Sequence, residues 1–122
     1  MYRDQWPAAL DEVLGDPLAL RVVFQPIVDI QRGVVAGYEA LSRFPADAGV
    51  PPAPPGWFEA AARLGVGGAL EARVLSRVLE ARAALPPNTF VTVNLSPAAL
   101  GAPEVTALLD AVAAGRCPAP VF

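Results

Sequence analysis

The sequence predicts an α/β fold that opens with an antiparallel pair of strands and continues with helices alternating with parallel strands. Two segments rich in β-branched residues, 21–30 and 34–44, lie on either side of a short turn at 31–33, and strands joined so tightly pair antiparallel. Helical patterns follow, and then a third strand pattern at 89–96 (TFVTVNLS). Strands separated by helices in this way favour a parallel arrangement.

The first helix is predicted at Trp6 to Leu14, where it would cap the domain, because Gly15 and Pro17 stop helical hydrogen bonding. The proline-rich segment Pro45 to Gly56 (PADAGVPPAPPG) is predicted to be a loop, since proline lacks the amide hydrogen and fixes its own φ. A connection inside the domain explains this composition better than a proline-rich ligand for a partner module.

Two helices are predicted between the second and third strands, at Trp57 to Leu64 and at Ala69 to Leu85. The segment 65–68 (GVGG) separates them; it follows a helix and contains no lysine, so it predicts a helix break rather than a phosphate-binding loop. The apolar face of the longer helix is predicted to consist of Leu70, Val74, Leu75 and Val78. The rest of its surface is predicted to carry Glu71, Arg73, Arg77, Glu80 and Arg82.

A fourth helix is predicted from Pro103 to Ala114, followed by a strand from Ala119 to Phe122. The chain has 122 residues, whereas an eight-stranded barrel enzyme needs about 250. Its apolar share is 54%, above the roughly 45–50% of ordinary soluble domains. A high alanine content and an absent half of the domain explain this excess equally well.

The composition excludes several kinds of chemistry. The chain has no histidine, and its 9 basic residues are all arginine, which excludes histidine general-base and lysine Schiff-base catalysis. A net charge of −3 without a basic cluster argues against DNA or RNA as a partner. Cys117 is the single cysteine, so no internal disulfide forms. Without a secretory signal, and with prolines interrupting the uncharged stretch 83–103, we expect a cytoplasmic segment that does not cross a membrane.

Polar side chains are predicted near the ends of the second and third strands. Alternation puts Glu39, Leu41 and Arg43 on one face of the second strand. It also puts Asn94 on the same face as Thr92 and Ser96 in the third. Carboxylate and amide oxygens suit Mg²⁺ or Mn²⁺, and arginine suits a phosphate. The strand spacing alone is also compatible with a salt bridge and a turn-closing asparagine.

Three segments in order resemble signatures of the EAL domain family: FQPIVD at 24–29, GYEALSR at 37–43 and VNLSP at 93–97. The intervening WFEAA at 57–61 and LEARVL at 70–75 are similar to the two helices that join these strands in the family. The resemblance covers residues 20–122, which we expect to form part of an EAL domain, with 1–19 as a helical lead-in. It implies the N-terminal portion of a modified TIM-type barrel.

The resemblance also implies an activity and a set of site residues. Members of the family hydrolyse cyclic di-GMP to linear pGpG with Mg²⁺ or Mn²⁺. By likeness to the family motifs, Glu39 and Asn94 are metal ligands, and Gln25, Leu41 and Arg43 contact the substrate. The family's later carboxylates, its catalytic lysine and its closing glutamine have no counterpart here.

These departures lead to two expectations about function. The chain alone is expected to be inactive, and a homodimer or a completing C-terminal half is the expected protein partner. The alternative is a catalytically dead remnant that senses cyclic di-GMP or binds another protein.

Overall fold

The structure is a computed structural model that describes residues 5–114. Within that range, four α-helices and three strands follow one another in the order α1 Trp6–Gly15, β1 Arg21–Asp29, β2 Val34–Arg43, α2 Pro54–Arg63, α3 Gly67–Ala81, β3 Phe90–Val93 and α4 Pro103–Ala113. Single 3₁₀ turns follow α3 and β3. The predicted α/β class is confirmed. The strand predicted at Ala119 to Phe122, and Cys117, lie outside the described residues.

The three strands form one sheet in the order β1-β2-β3. β1 pairs antiparallel with β2, and β2 pairs parallel with β3, as the sequence predicts. The register aligns Gln25 with Glu39, and Glu39 with Thr92. Since paired residues project to the same side of a sheet, these three side chains share one face.

Helices α1, α2 and α3 pack against the other face of the sheet and bury the main apolar core. Trp57 is fully buried in this core, stacked on Phe44 with ring centroids 4.6 Å apart and edge-to-face with Trp6 at 5.2 Å. Ala40 of β2 and Val91 of β3 contribute from the sheet. The apolar face predicted for α3 is confirmed, because all four of its residues are buried.

Arginines of α3 hold the end of α1 in place. Arg73 donates from Nη1 to the carbonyl of Val13 at 3.2 Å and from Nη2 to that of Leu14 at 2.9 Å. Arg77 donates to the carbonyl of Leu20 at 3.0 Å. The last carbonyls of a helix have no partner within it, so these bonds join the lead-in helix to the domain.

The prediction that Pro45 to Gly56 is entirely a loop is wrong for its last three residues, because α2 begins at Pro54. The first backbone N–H groups of a helix have no partner within it, and the φ of proline is already helical, so proline is favoured at this position. Trp57 therefore lies one turn inside the helix, and its Nε1 donates to the carbonyl of Pro51 at 3.1 Å.

The helix break predicted at the glycine cluster is confirmed at Gly65 and wrong at the two glycines that follow. Gly65 has φ +78° and donates to the carbonyl of Ala62, while Val66 donates to that of Ala61. This pair of bonds is a Schellman motif, in which glycine is favoured after the helix end. Gly67 and Gly68 already belong to α3. A Cβ on Gly68 would lie 2.7 Å from that of Ala102, so this glycine permits the close approach of α3 to the start of α4.

The third strand is shorter than predicted, covering Phe90–Val93 rather than residues 89–96. The alternation of faces therefore does not extend past Val93. Ser96, predicted to share a face with Asn94, instead turns towards α3.

The longest helix among residues 5–114 is α3, with 15 residues, whereas a membrane-spanning helix needs about 20 apolar ones. No helix in this part of the chain is long and apolar enough to cross a bilayer.

Candidate metal and phosphate site

Glu39 and Asn94 meet where the parallel pairing of β2 and β3 ends. The Nδ2 of Asn94 donates to Oε2 of Glu39 at 3.2 Å, although the residues are 55 positions apart in sequence. Asn94 directly follows the last residue of β3, and Glu39 lies in β2 opposite Thr92. The amide oxygen of Asn94 is not used in this contact. The pair thus presents two oxygen donors of the kind that Mg²⁺ and Mn²⁺ prefer.

Gln25 and Leu41 lie on the same sheet face as Glu39. Gln25 is the register partner of Glu39 in the edge strand β1 and is exposed. Leu41, two residues after Glu39, is half-buried and projects to the same side. The apolar Leu41 therefore flanks the Glu39 carboxylate along β2, and the uncharged polar Gln25 flanks it across the strand pair.

Arg43 lies at the last position of β2 and is exposed. Its Nη1 donates to the carbonyl of the preceding Ser42 at 3.0 Å. Together with Asn94 and Leu41, it lines a small cleft of about 120 Å³. A guanidinium that lines such a cleft can bind an anion beside Asn94.

A larger cleft of about 570 Å³ also borders Asn94. Its walls are the glycine-rich start of α3, the ring of Phe58 in α2, and the chain that follows β3, including Leu95 and Ser96. Both clefts reach Phe58 and Asn94. Asn94 therefore lies where a ligand in either cleft would be contacted.

Glu71 is the residue of this region whose role the sequence analysis missed. It was predicted on the charged surface of α3, but it is only 8% exposed. Its Oε1 accepts a bond from the backbone N–H of Ser96 at 2.7 Å, and its Oε2 accepts one from the Ser96 hydroxyl at 2.6 Å. Its spacing of four and seven residues from Leu75 and Val78 places it on the apolar side of the helix, and this spacing was a signal that could have identified it.

Among residues 5–114 there is no group of three or more histidine, cysteine, aspartate or glutamate side chains placed to hold a metal ion. Mg²⁺ demands near-octahedral coordination, usually with several waters among its ligands. The oxygen atoms of Glu39 and Asn94 therefore suit part of the coordination shell of such an ion, in which waters are also ligands.

Comparison with known protein families gives one match. A family model, the EAL domain, matches residues 11–121. That match begins inside α1, and the predicted division between residues 19 and 20 stays a prediction. Among the curated proteins, none matches the sequence.

Three solved structures share the fold. The FimX EAL domain from Pseudomonas aeruginosa bound to c-di-GMP is 28% identical with a TM-score of 0.72, covering 93% of this chain and 46% of that one. The FimX EAL domain of Xanthomonas citri in complex with c-diGMP is 20% identical with a TM-score of 0.70, covering 95% and 46%. The Vibrio cholerae LapD S helix-GGDEF-EAL structure, bound to c-di-GMP, is 17% identical with a TM-score of 0.68, covering 88% and 26%.

The last two likenesses, at low identity, show the fold alone. The chain spans about half the length of the FimX structures it matches, and those matches are to the part of a TIM-like barrel that starts with an antiparallel strand pair. The family match, over 111 of 122 residues counted from 11 to 121, together with this fold, shows that the chain belongs to the EAL domain family.

Proposed function

We propose that this chain supplies the first part of a site that binds cyclic di-GMP through a divalent cation. Glu39 and Asn94 are the metal ligands, Arg43 pairs with a phosphate, and Gln25 and Leu41 contact the nucleotide. The contact between Glu39 and Asn94 carries the proposal, because it brings together one oxygen donor from β2 and one from the residue that follows β3. The 28% identical FimX domain, bound to c-di-GMP, supports the choice of ligand.

The chemistry of the proposed ligand fits these residues. A cyclic dinucleotide carries two phosphodiester charges, and a bound Mg²⁺ or Mn²⁺ would supply charge neutralisation and a water molecule of lowered pKa. Arg43 offers a planar, permanently charged group that suits a phosphate. Leu41 adds an apolar surface beside the charged groups, and Gln25 can donate or accept hydrogen bonds across the strand pair.

Hydrolysis to linear pGpG is the reaction that we propose for the domain when further ligands complete the metal shell. The described residues bring two donors together, and in-line attack on a phosphodiester is best supported by a two-metal clamp. The chain contains no lysine, so a lysine that assists the attacking water would come from elsewhere in the domain. We therefore expect residues 1–122 alone to show no turnover.

The test is made on the full native protein that carries these residues and on the 122-residue chain. Calorimetry measures binding of cyclic di-GMP with and without Mn²⁺, and chromatography measures pGpG. We expect Glu39→Ala to reduce metal-dependent binding and turnover at least tenfold. Glu59→Ala, which removes an exposed glutamate of α2, is the matched control and should change neither.

The outcomes separate the proposal from its alternatives. Binding without turnover in the full protein would identify a cyclic di-GMP sensor, and the hydrolytic part of the proposal would be wrong. No nucleotide binding under any condition would overturn the proposal and favour a protein-binding remnant. Unchanged metal dependence in Glu39→Ala would contradict the assignment of the metal site.

A further inference from the structure

We infer that Glu71 is a positioning residue that fixes the Asn94 amide in place against Glu39. The effect of Glu71 on metal binding rests on the proposed function. Its effect on the position of the Asn94 amide can be tested without any ligand. Glu71 itself contacts neither Glu39 nor Asn94 by a hydrogen bond; it acts through Ser96, two residues after Asn94.

Asn94 needs such support because the strand ends just before it. The last register pair of the parallel ladder is Ala40 with Val93, so the backbone of Asn94 lies beyond the sheet. Asn94 is exposed, so little packing restrains its side chain. Its position is therefore determined by the ladder at Val93 on one side and by the next fixed point of the chain on the other.

Ser96 is that next fixed point. Besides its two bonds to Glu71, its Oγ accepts a bond from the backbone N–H of Ala99 at 3.2 Å and caps the 3₁₀ turn Pro97–Gly101. Only Asn94 and Leu95 lie between the ladder and this anchor. Loss of the anchor would leave the chain after Val93 attached at one end.

The burial of Glu71 shows that these bonds are needed. A carboxylate taken out of water costs free energy unless hydrogen bonds replace its hydration. Glu71 is 8% exposed, and its neighbours on α3, Leu70 and Leu75, are fully buried. Each of its oxygens accepts a short bond from Ser96, and bonds to a charged acceptor are roughly twice as strong as neutral ones. The carboxylate therefore acts as an anchor that links the packed helix to the site.

The ligand-free test uses nuclear magnetic resonance of the Asn94 side-chain amide and the Ser96 backbone amide. Glu39→Ala removes the partner of the Asn94 amide and so gives the position of the Asn94 signal without this hydrogen bond. In Glu71→Ala, we expect the Asn94 signal to move towards that position and the Ser96 amide to exchange with solvent at least tenfold faster. Glu80→Ala, at an exposed glutamate of the same helix, should leave both signals unchanged. An unchanged Asn94 signal in Glu71→Ala would overturn the inference.

The second test measures Mn²⁺ affinity in a double-mutant cycle on the full native protein. Removing a group that orients a metal ligand costs about 10–100-fold in affinity, and we expect Glu71→Ala to fall in this range. In the Asn94→Ala background, the same substitution should have no further effect. An equal loss in both backgrounds would show that Glu71 acts by general destabilisation.

Two milder variants, Glu71→Gln and Ser96→Ala, are used if Glu71→Ala does not fold. Each removes part of the contact between Glu71 and Ser96 while keeping most of the side-chain volume. We expect both to have effects between those of the unsubstituted protein and of Glu71→Ala. Failure of the unsubstituted protein to bind Mn²⁺ would overturn the proposed function, and the amide signals would still confirm or overturn the role of Glu71.

Discussion

The two faces of the three-stranded sheet are made by the same strands but differ in what they contact. One face carries Phe24, Ala40 and Val91, which pack on the helices in the main core. The other carries Gln25, Glu39 and Thr92 in one register row, and all three are exposed or half-buried. Folding is stabilised by the first face, since it buries apolar surface. The second face is therefore available for polar groups that contribute little to stability.

The largest effect is expected in the core that covers the first face, at Trp57 of α2. This side chain is fully buried, stacks on Phe44 and meets Trp6 edge-to-face. Trp57→Ala should lower the free energy of unfolding by about 3–5 kcal/mol, as for other buried aromatic residues. Denaturant-induced unfolding measures this change in the free energy of unfolding. Trp57→Phe keeps an aromatic ring in the core and should lose clearly less; equal losses would mean that ring packing is not what stabilises this face.

An intermediate effect is expected at Gly37, which lies opposite Phe90 in the parallel pair. A Cβ there would lie 2.6 Å from the ring and from the carbonyl oxygen of Phe90, so Gly37→Ala must displace β3. We expect a loss of about 1–3 kcal/mol, typical of overpacking.

The control for this prediction is Gly15→Ala, because a Cβ on Gly15 would meet nothing within 4 Å. It should leave the unfolding free energy unchanged or raise it, since alanine favours helices more than glycine does. If both substitutions destabilised the protein equally, the loss at Gly37 could not be assigned to the strand contact.

The sequence predicts the two faces unequally. Strand alternation and helical periodicity identified the strands and the buried side of α3, because burial leaves a periodic signal. The placement of Glu39 beside Asn94 followed from the rule that parallel strands present their carboxyl ends together. Glu71 and Ser96 were not paired in the prediction, because a contact between a helix and a distant turn leaves no periodic pattern. The start of α2 was missed because proline stops a helix in its interior but begins one at its N-terminus.

The smallest effect on stability is expected on the open face, at Gln25. The residue is exposed on an edge strand, and surface substitutions usually change the unfolding free energy by less than about 0.5 kcal/mol. Gln25→Ala should stay within this limit while weakening binding of cyclic di-GMP. Gln31→Ala, in the exposed hairpin turn, should alter neither quantity. A large loss of stability in Gln25→Ala would remove the distinction between the two faces.

Within residues 5–114, the two edges of the sheet differ in their capacity to accept another strand. β1 contains Pro26 and an irregular register between Ile27 and Val28; a proline offers no N–H to a neighbouring chain, and a bulge twists the edge away. β3 reads FVTV, without proline and without an irregularity. Growth of the sheet, whether by the rest of a barrel or by unwanted self-association at high concentration, is therefore favoured on the β3 side, which gives the sheet a direction of assembly.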